Sequence, residues 1–449
     1  MTVNTTDRTV LTRRAVLAML AAPAFAHIVA SCSSSDTRSG TTTTPTGSDV
    51  AKSNLQRVNV PVDRADIAAQ AINDFSDEMI RGLVANDPNG NVVFSPASVA
   101  LALSMVAVGA SGVTANEIYA ALQVDDPTTI DQAMNALSAH LDTIDQTEGR
   151  GDEQREVHLN IANSLWGQRG LAFEAPFLDV LAEQYGAQMN LVDYRSNAAL
   201  ARNAINSWVD DATSKRIPEL LGADDVDADT RLVLVNAIYL LATWERAFKK
   251  EATSKEPFTT VSGKTATVEM MNAELYCDYA KGDGWQLIEL PYSFRGLSFT
   301  AVLPDSPSAA LIGIGDVITT GDAMTTIESR KVRLGLPKFD FETRAQLSEL
   351  LEGLGIKTAF TDGADFSKIT KQEPLVISKV IHQANITVDE RGTEAAAATA
   401  VVMETTSAPA PEDPIELTFN RPFQFWIRDT TTGAVIFAGR VTDPSATRS

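Results

Sequence analysis

Ser95, Ser98, Asn236 and His382 are the residue types from which a nucleophile, a base and an orienting partner can be drawn, so hydrolysis is the first chemistry to weigh. The chain restricts that choice. Of its four histidines, His27 lies in an apolar N-terminal run, which leaves His140, His158 and His382 as candidate bases. No Gly-x-Ser-x-Gly elbow and no His-Glu-x-x-His metal pair occurs, and no metal or cofactor is expected. The formal net charge is -21, which argues against a nucleic-acid partner and against heparin-like polyanions, since phosphate and sulfate groups need clustered Lys and Arg.

The N-terminus carries a second kind of chemistry. Arg13 and Arg14 precede the apolar run Ala15 to Ala26, and Val29-Ala30-Ser31 then leads into Cys32. This reads as a signal peptide over residues 1–31, and Val29-Ala30-Ser31-Cys32 resembles a bacterial lipobox, so cleavage before Cys32 would free its thiol and amine for acylation. An ordinary secretory signal and a short membrane anchor are the alternatives, and the arginine pair leaves general and twin-arginine export both open. With Cys32 acylated, Cys277 is the only other cysteine, so no intrachain disulfide supports the body. Ser33 to Ser53 is rich in Ser, Thr, Gly and Asp, and residues 32–60 are read as a flexible, lipid-anchored tether. The expected location is the outer face of a bacterial membrane, or the medium if the lipobox is not used.

The elements that must position the body's polar residues follow from periodicity. With 449 residues, 44% hydrophobic and 21% charged, the chain has ample material for a large core, and residues 61–445 read as one domain, with no low-complexity break from Asp63 to about Thr442. Ser95-Pro96 opens a run through Val108 that is apolar nearly all round, the pattern of a buried helix with Ser as cap and Pro at its first position. Thr114 to Glu117 has the form of a capping box for the next helix. Leu159 to Trp166 and Arg231 to Thr243 have strand character, the second apolar on both faces with Asn236 in its middle. A buried amide needs a partner, unless the strand edge is wetter than it looks. Val376 to Glu390 alternates with a period of two and turns His382 to its apolar side, and Ile415 to Ile427 and Ala434 to Val441 read as strands joined through Asp429 to Gly433.

From about residue 66 to 443 the chain resembles the serpins. The resemblance is carried by Asn91-Val92-Val93-Phe94-Ser95-Pro96-Ala97-Ser98, Gly109 to Thr114, Leu234-Val235-Asn236-Ala237-Ile238-Tyr239 with Trp244-Glu245, Leu336-Pro337-Lys338-Phe339 and Phe419-Asn420-Arg421-Pro422-Phe423, all in family order. It implies an α+β single domain with a large, mainly antiparallel central sheet, two further sheets and about eight to nine helices. It also implies that Ser95, Ser98, Asn236 and His382 form a buried hydrogen-bond cluster below that sheet, where two strands must part, and not a triad. Lys338 and Glu390 match a family salt bridge at the top of the same opening, close to Trp244, the alternative being a screened surface pair worth about 0–1 kcal/mol.

Val388 to Thr399 is similar to the hinge of inhibitory serpins: Glu390, Arg391, Gly392, Thr393, Glu394, then Ala395, Ala396, Ala397, Ala398 and Thr399. A loop that enters a sheet must carry small, uncharged inward side chains and no proline. If the chain reverses at Gly392, the inward residues are Thr393, Ala395, Ala397, Thr399, Val401 and Met403, while Glu394 and Glu404 face the other way and Pro409 and Pro411 lie beyond the inserting part. By alanine's propensity alone, Ala395 to Ala400 could instead be a helix. The resemblance implies a bait loop over about 392–414, held out of an incomplete sheet, that a serine protease cleaves and acylates and that then inserts as a new central strand. The protease would be the covalent partner and the inhibitor a monomer. Family spacing places the bait bond at Thr406-Ser407, with Thr405-Thr406, Ser407-Ala408 and Met403-Glu404 as alternatives, and small uncharged bait suits an elastase-like or subtilisin-like pocket. A non-inhibitory serpin acting as a scaffold is the second reading. A lipid-anchored solute-binding protein is the third, and it leaves residues 388–399 unexplained.

Overall fold

The computed structural model describes residues 49–124, 126–150, 154–307, 311–314, 317, 327–393 and 413–446. Cys32, the run from Glu394 to Thr399 and every candidate for the bait bond from Met403 to Ala408 lie outside them.

Seven α-helices are present among the described residues: α1 (Asp66–Asn86), α2 (Pro96–Gly109), α3 (Gly112–Ala121), α4 (Pro127–Leu141), α5 (Ala175–Tyr185), α6 (Tyr194–Ala212) and α7 (Ser348–Gly353). Helix α2 is buried all round, as its composition requires, with Pro96 at its first position and Ser95 Oγ accepting from Ser98 N at 3.1 Å. Helix α3 corrects an expectation. It starts at Gly112 with no side-chain cap, because the Glu117 carboxylate is drawn away to accept from the backbone N–H groups of Lys357 and Thr358. Thr114 Oγ1 is likewise taken, accepting from Asp365 N.

One sheet has the order β1 (Asp49–Ala51), β5 (Met189–Val192), β4 (Arg155–Gln168), β6 (Leu232–Thr243), β14 (Gly392–Thr393), β13 (Lys379–Val388), β12 (Phe339–Gln346), with β3 (Gln146–Glu148) paired to β4. Strand β6 is apolar on both faces because both are covered. Leu234, Ile238 and Leu240 enter the main core, while Val233, Val235 and Ala237 pack with Ile205 and Val209 of α6.

The other sheet runs β15 (Ile415–Thr418), β11 (Glu328–Pro337), β8 (Thr265–Gly282), β9 (Trp285–Pro291), β10 (Leu297–Pro304), β16 (Phe423–Asp429), β17 (Val435–Val441), β2 (Val92–Phe94), with β7 (Ser254–Thr259) paired to β8. The two smaller sheets foreseen from the sequence are therefore hydrogen-bonded into one. Strand β8 runs unbroken for 18 residues, holding β7 on its first part, β9 on its last, and β11 along its middle from Met270 to Tyr279. The strand foreseen from Ile415 to Ile427 divides in two around Asn420, Arg421 and Pro422, where proline removes a ladder donor.

Residues 49–60, foreseen as tether, are docked on the body. Asp49–Ala51 pairs antiparallel with Met189–Leu191, capping an edge that would otherwise present unpaired backbone groups. Ser53 Oγ donates to Asp179 at 2.6 Å, and the Arg57 guanidinium donates to Asn135 Oδ1 at 2.8 Å and to Asp142 at 3.0 Å.

Candidate functional site

The site is the seam between β6 and β13. Its lower part is closed by parallel pairing from Lys379↔Val233 to Ala384↔Ile238. Its upper end is wedged apart by β14, which pairs antiparallel with β6 through Gly392↔Thr243 and Thr393↔Ala242 and with β13 through Val388↔Thr393. Between these ends, no register pairing joins Leu240 and Leu241 on β6 to Asn385 and Ile386 on β13 among the described residues.

At the lower end Ser95, Ser98, Asn236 and His382 are brought together, each fully buried. Asn236 Nδ2 donates to Ser98 O at 2.6 Å and to Asn163 Oδ1 at 2.9 Å. Its Oδ1 accepts from Ser98 Oγ at 2.9 Å and from His382 Nδ1 at 2.6 Å. His382 Nε2 accepts from the Ser95 backbone N–H at 3.0 Å, which fixes the tautomer with the proton on Nδ1. Burial drives the His382 pKa down to about 3, so the ring is neutral. With its lone pair on a backbone amide and its proton on Asn236, the imidazole has no free position for a serine hydroxyl. The cluster is a clasp that ties α2 to both strands of the seam. Asn163 of β4 completes it, its Nδ2 also donating to Ser98 O at 3.0 Å; in the sequence this residue was one polar position in an ordinary strand pattern.

At the upper end Lys338 Nζ lies 3.1 Å from Glu390 Oε2 and 3.6 Å from Glu269. The Glu390 side chain is 6% exposed and that of Lys338 31%, so the pair is half-sheltered and not a free surface bridge. Burial works against the Glu390 carboxylate, but its bonds to its own backbone N–H, to Thr253 Oγ1 at 2.8 Å and to Lys338 outweigh it and hold the pKa below the usual range. Trp244 clamps the turn that follows. Its Nε1 donates to Asp389 O at 2.9 Å and its backbone N to Arg391 O at 2.7 Å, and its ring stacks on Tyr292 with centroids 4.6 Å apart.

The hinge departs from expectation. Gly392 and Thr393 were foreseen as the start of an exposed loop, with Thr393 the first residue to become buried on insertion. Both are already in the sheet, Thr393 at 2% exposure. The cause is local. Asp389 Oδ1 accepts from Arg391 N at 2.8 Å and Gly392 N at 3.3 Å, Asp389 N donates to Gly392 O at 2.9 Å, and the chain reverses. Glycine is required at 392 by close approach: a Cβ there would stand 1.9 Å from the carbonyl oxygen of Ala242.

One further residue has a quieter role. Cys277 is buried, and burial, with the neighbouring Asp278 charge, pushes its thiol up to about 12, so it is unreactive. Among the described residues no group of His, Cys, Asp and Glu could hold a metal ion.

The large sheet thus has its two middle strands clasped at one end and separated by a two-residue strand at the other. A family profile described as "Serpin (serine protease inhibitor)" matches residues 70–444, and the chain belongs to the serpin family. It is 34% identical over 388 residues to a leukocyte elastase inhibitor of Xenopus tropicalis, covering 84% of this chain and 99% of that protein. It is 35% identical over 376 residues to an uncharacterized serpin-like protein of Thermococcus kodakarensis, covering 83% and 85%. Among solved structures, the native state of the thermophilic serpin tengpin superposes with a TM-score of 0.73 at 30% identity, covering 88% of this chain and 97% of that one.

Proposed function

We propose that this serpin is a suicide inhibitor of serine proteases that traps its target by inserting the cleaved bait loop between β6 and β13. One observation carries the reading: Gly392 and Thr393 already lie in the seam, antiparallel to both neighbours. Continuing the β6 register downward sets Ala395 opposite Leu240, Ala397 opposite Ile238 and Thr399 opposite Asn236, so the inward positions fall against the core face. Glu394 falls opposite Leu241, on the other face. The run of small residues therefore matches the path it would fill.

In this reading the protease serine attacks the Thr406 carbonyl, the Ser407 amine departs, and the acyl-enzyme is carried down the sheet as the loop enters. Insertion gains main-chain pairing and burial along β6 and β13 and distorts the protease before water attacks the ester. A small bait residue suits an elastase-like or subtilisin-like pocket, and the similarity to leukocyte elastase inhibitors points the same way. The inhibitor acts as a monomer, held at the outer face of the membrane by a lipid on Cys32.

Mixing the purified body with an elastase-like protease tests this. An adduct that survives boiling in detergent is expected; clean loop cleavage without adduct across several serine proteases would instead make the protein a non-inhibitory scaffold. For the anchor, Cys32→Ser is expected to abolish incorporation of labelled palmitate and release the protein to the medium. Unchanged membrane retention of that variant would contradict lipidation.

A further inference from the structure

Resting on the trapping reading above, we infer that Tyr292 is a positioning residue that holds the first rung of the inserting strand and so sets how often trapping wins over hydrolysis. The turn from Val388 to Gly392 already has the form the inserted loop needs, so insertion starts from an existing hairpin and each further residue adds pairing without a new reversal. What keeps that hairpin seated is a contact from Tyr292, the residue just past the end of β9. Tyr292 Oη and Thr393 Oγ1 lie 2.5 Å apart, both side chains buried. Tyr292 is itself rigid: its backbone N donates to Leu297 O at 3.0 Å, it bridges to Trp244 in the ladder, and its ring lies at 6° to the indole.

The arrangement biases the hinge inward. If Thr393 left the sheet, the phenol hydroxyl would lose that partner in a dry site, a penalty that an exposed hinge must bear. Below Thr393 no register pairing joins Leu241 or Leu240 to β13 among the described residues, so the next residues of the loop meet no closed ladder there. Deacylation competes with insertion at every turnover, and a seated first rung shortens the insertion side of that race.

Tyr292→Phe removes the hydroxyl and keeps the stack on Trp244; Thr393→Val removes the partner hydroxyl at nearly the same volume. Each is expected to raise hydrogen exchange in the 388–393 peptide about three- to tenfold, the size of one lost buried hydrogen bond. Each should also raise the number of inhibitor molecules consumed per protease trapped by a similar factor, with the rate of loop cleavage within about twofold, and the double variant should add little. Unchanged exchange in both single variants would overturn the inference whatever the protease does. A parent that traps, with variants that exchange faster but partition as the parent does, would also overturn it. A parent that is cleaved without adduct defeats the trapping reading itself, and the exchange arm then still decides whether Tyr292 seats the hinge.

Discussion

The lower and upper ends of the β6–β13 seam are held by different physics. Below, neutral groups close it: parallel strand pairing and the Asn236–His382–Ser98–Asn163 network, buried and with its donors directed at acceptors. Above, the strands are already parted, and the opening is held by a half-sheltered ion pair, an indole and a two-residue wedge. A network of neutral hydrogen bonds in a dry site is costly to break one bond at a time, whereas a wedge of two residues is lengthened by adding a third. In the proposed trapping mechanism, this difference sets the direction of insertion from hinge to clasp, with the clasp as the barrier against insertion of an uncut loop.

That contrast can be broken at either end. The largest effect is expected at Gly392. Replacing it with Val drives side-chain atoms into the Ala242 carbonyl, expels the hinge and should lower adduct yield at least about tenfold while the loop is still cleaved; gel analysis of the reaction reads both products. At the clasp, Asn236→Ala leaves the His382 Nδ1 proton without its acceptor, while the Ser98 hydroxyl keeps Asn163 Oδ1 at 2.7 Å, a loss of about 1–3 kcal/mol. Calorimetry should show a lower midpoint, and inhibitory activity should decay faster on standing as uncut loops self-insert.

Acid should act on the same end. The His382 pKa is lowered in the fold, from 6.5 to about 3, so the unfolded chain takes up the proton first; this contribution is complete above about pH 6.5 and is lost as pH falls toward 3. Between about pH 7 and about pH 5 the loss is about 2 kcal/mol, measurable by denaturant titration and absent from a His382→Gln variant. The smallest effect belongs to Lys338→Met, which strands the buried Glu390 carboxylate but leaves its Thr253 and backbone bonds, at about 1–2 kcal/mol. Its signature is faster exchange at 388–393, with the lower clasp unchanged.

How much of this could be read from residues alone followed contact range. The capped helix at Ser95-Pro96, the doubly buried strand around Asn236 and the alternation around His382 are local patterns, and the fold realises them at α2, β6 and β13. The pairing of Lys338 with Glu390 came from family resemblance and has no local signature. Asn163 and Tyr292 escaped notice because each acts across a great sequence distance, Tyr292 reaching Thr393 across 101 positions. The capping box at Thr114 failed for the same reason, since Glu117 found stronger donors at Lys357 and Thr358. Docking of residues 49–60 hinged on an open strand edge and on Asn135, neither visible in a stretch so poor in large apolar side chains.

The central claim is that the native sheet stores free energy that a cut loop releases by filling the seam. Thermal unfolding of the intact protein against the same protein clipped once within residues 403–408 measures it directly. A rise in midpoint of at least about 10 °C, worth several kcal/mol in a domain of this size, is the result the seam geometry requires. Equal midpoints for the clipped and intact forms would mean that no strand is gained, and the trapping mechanism would fall.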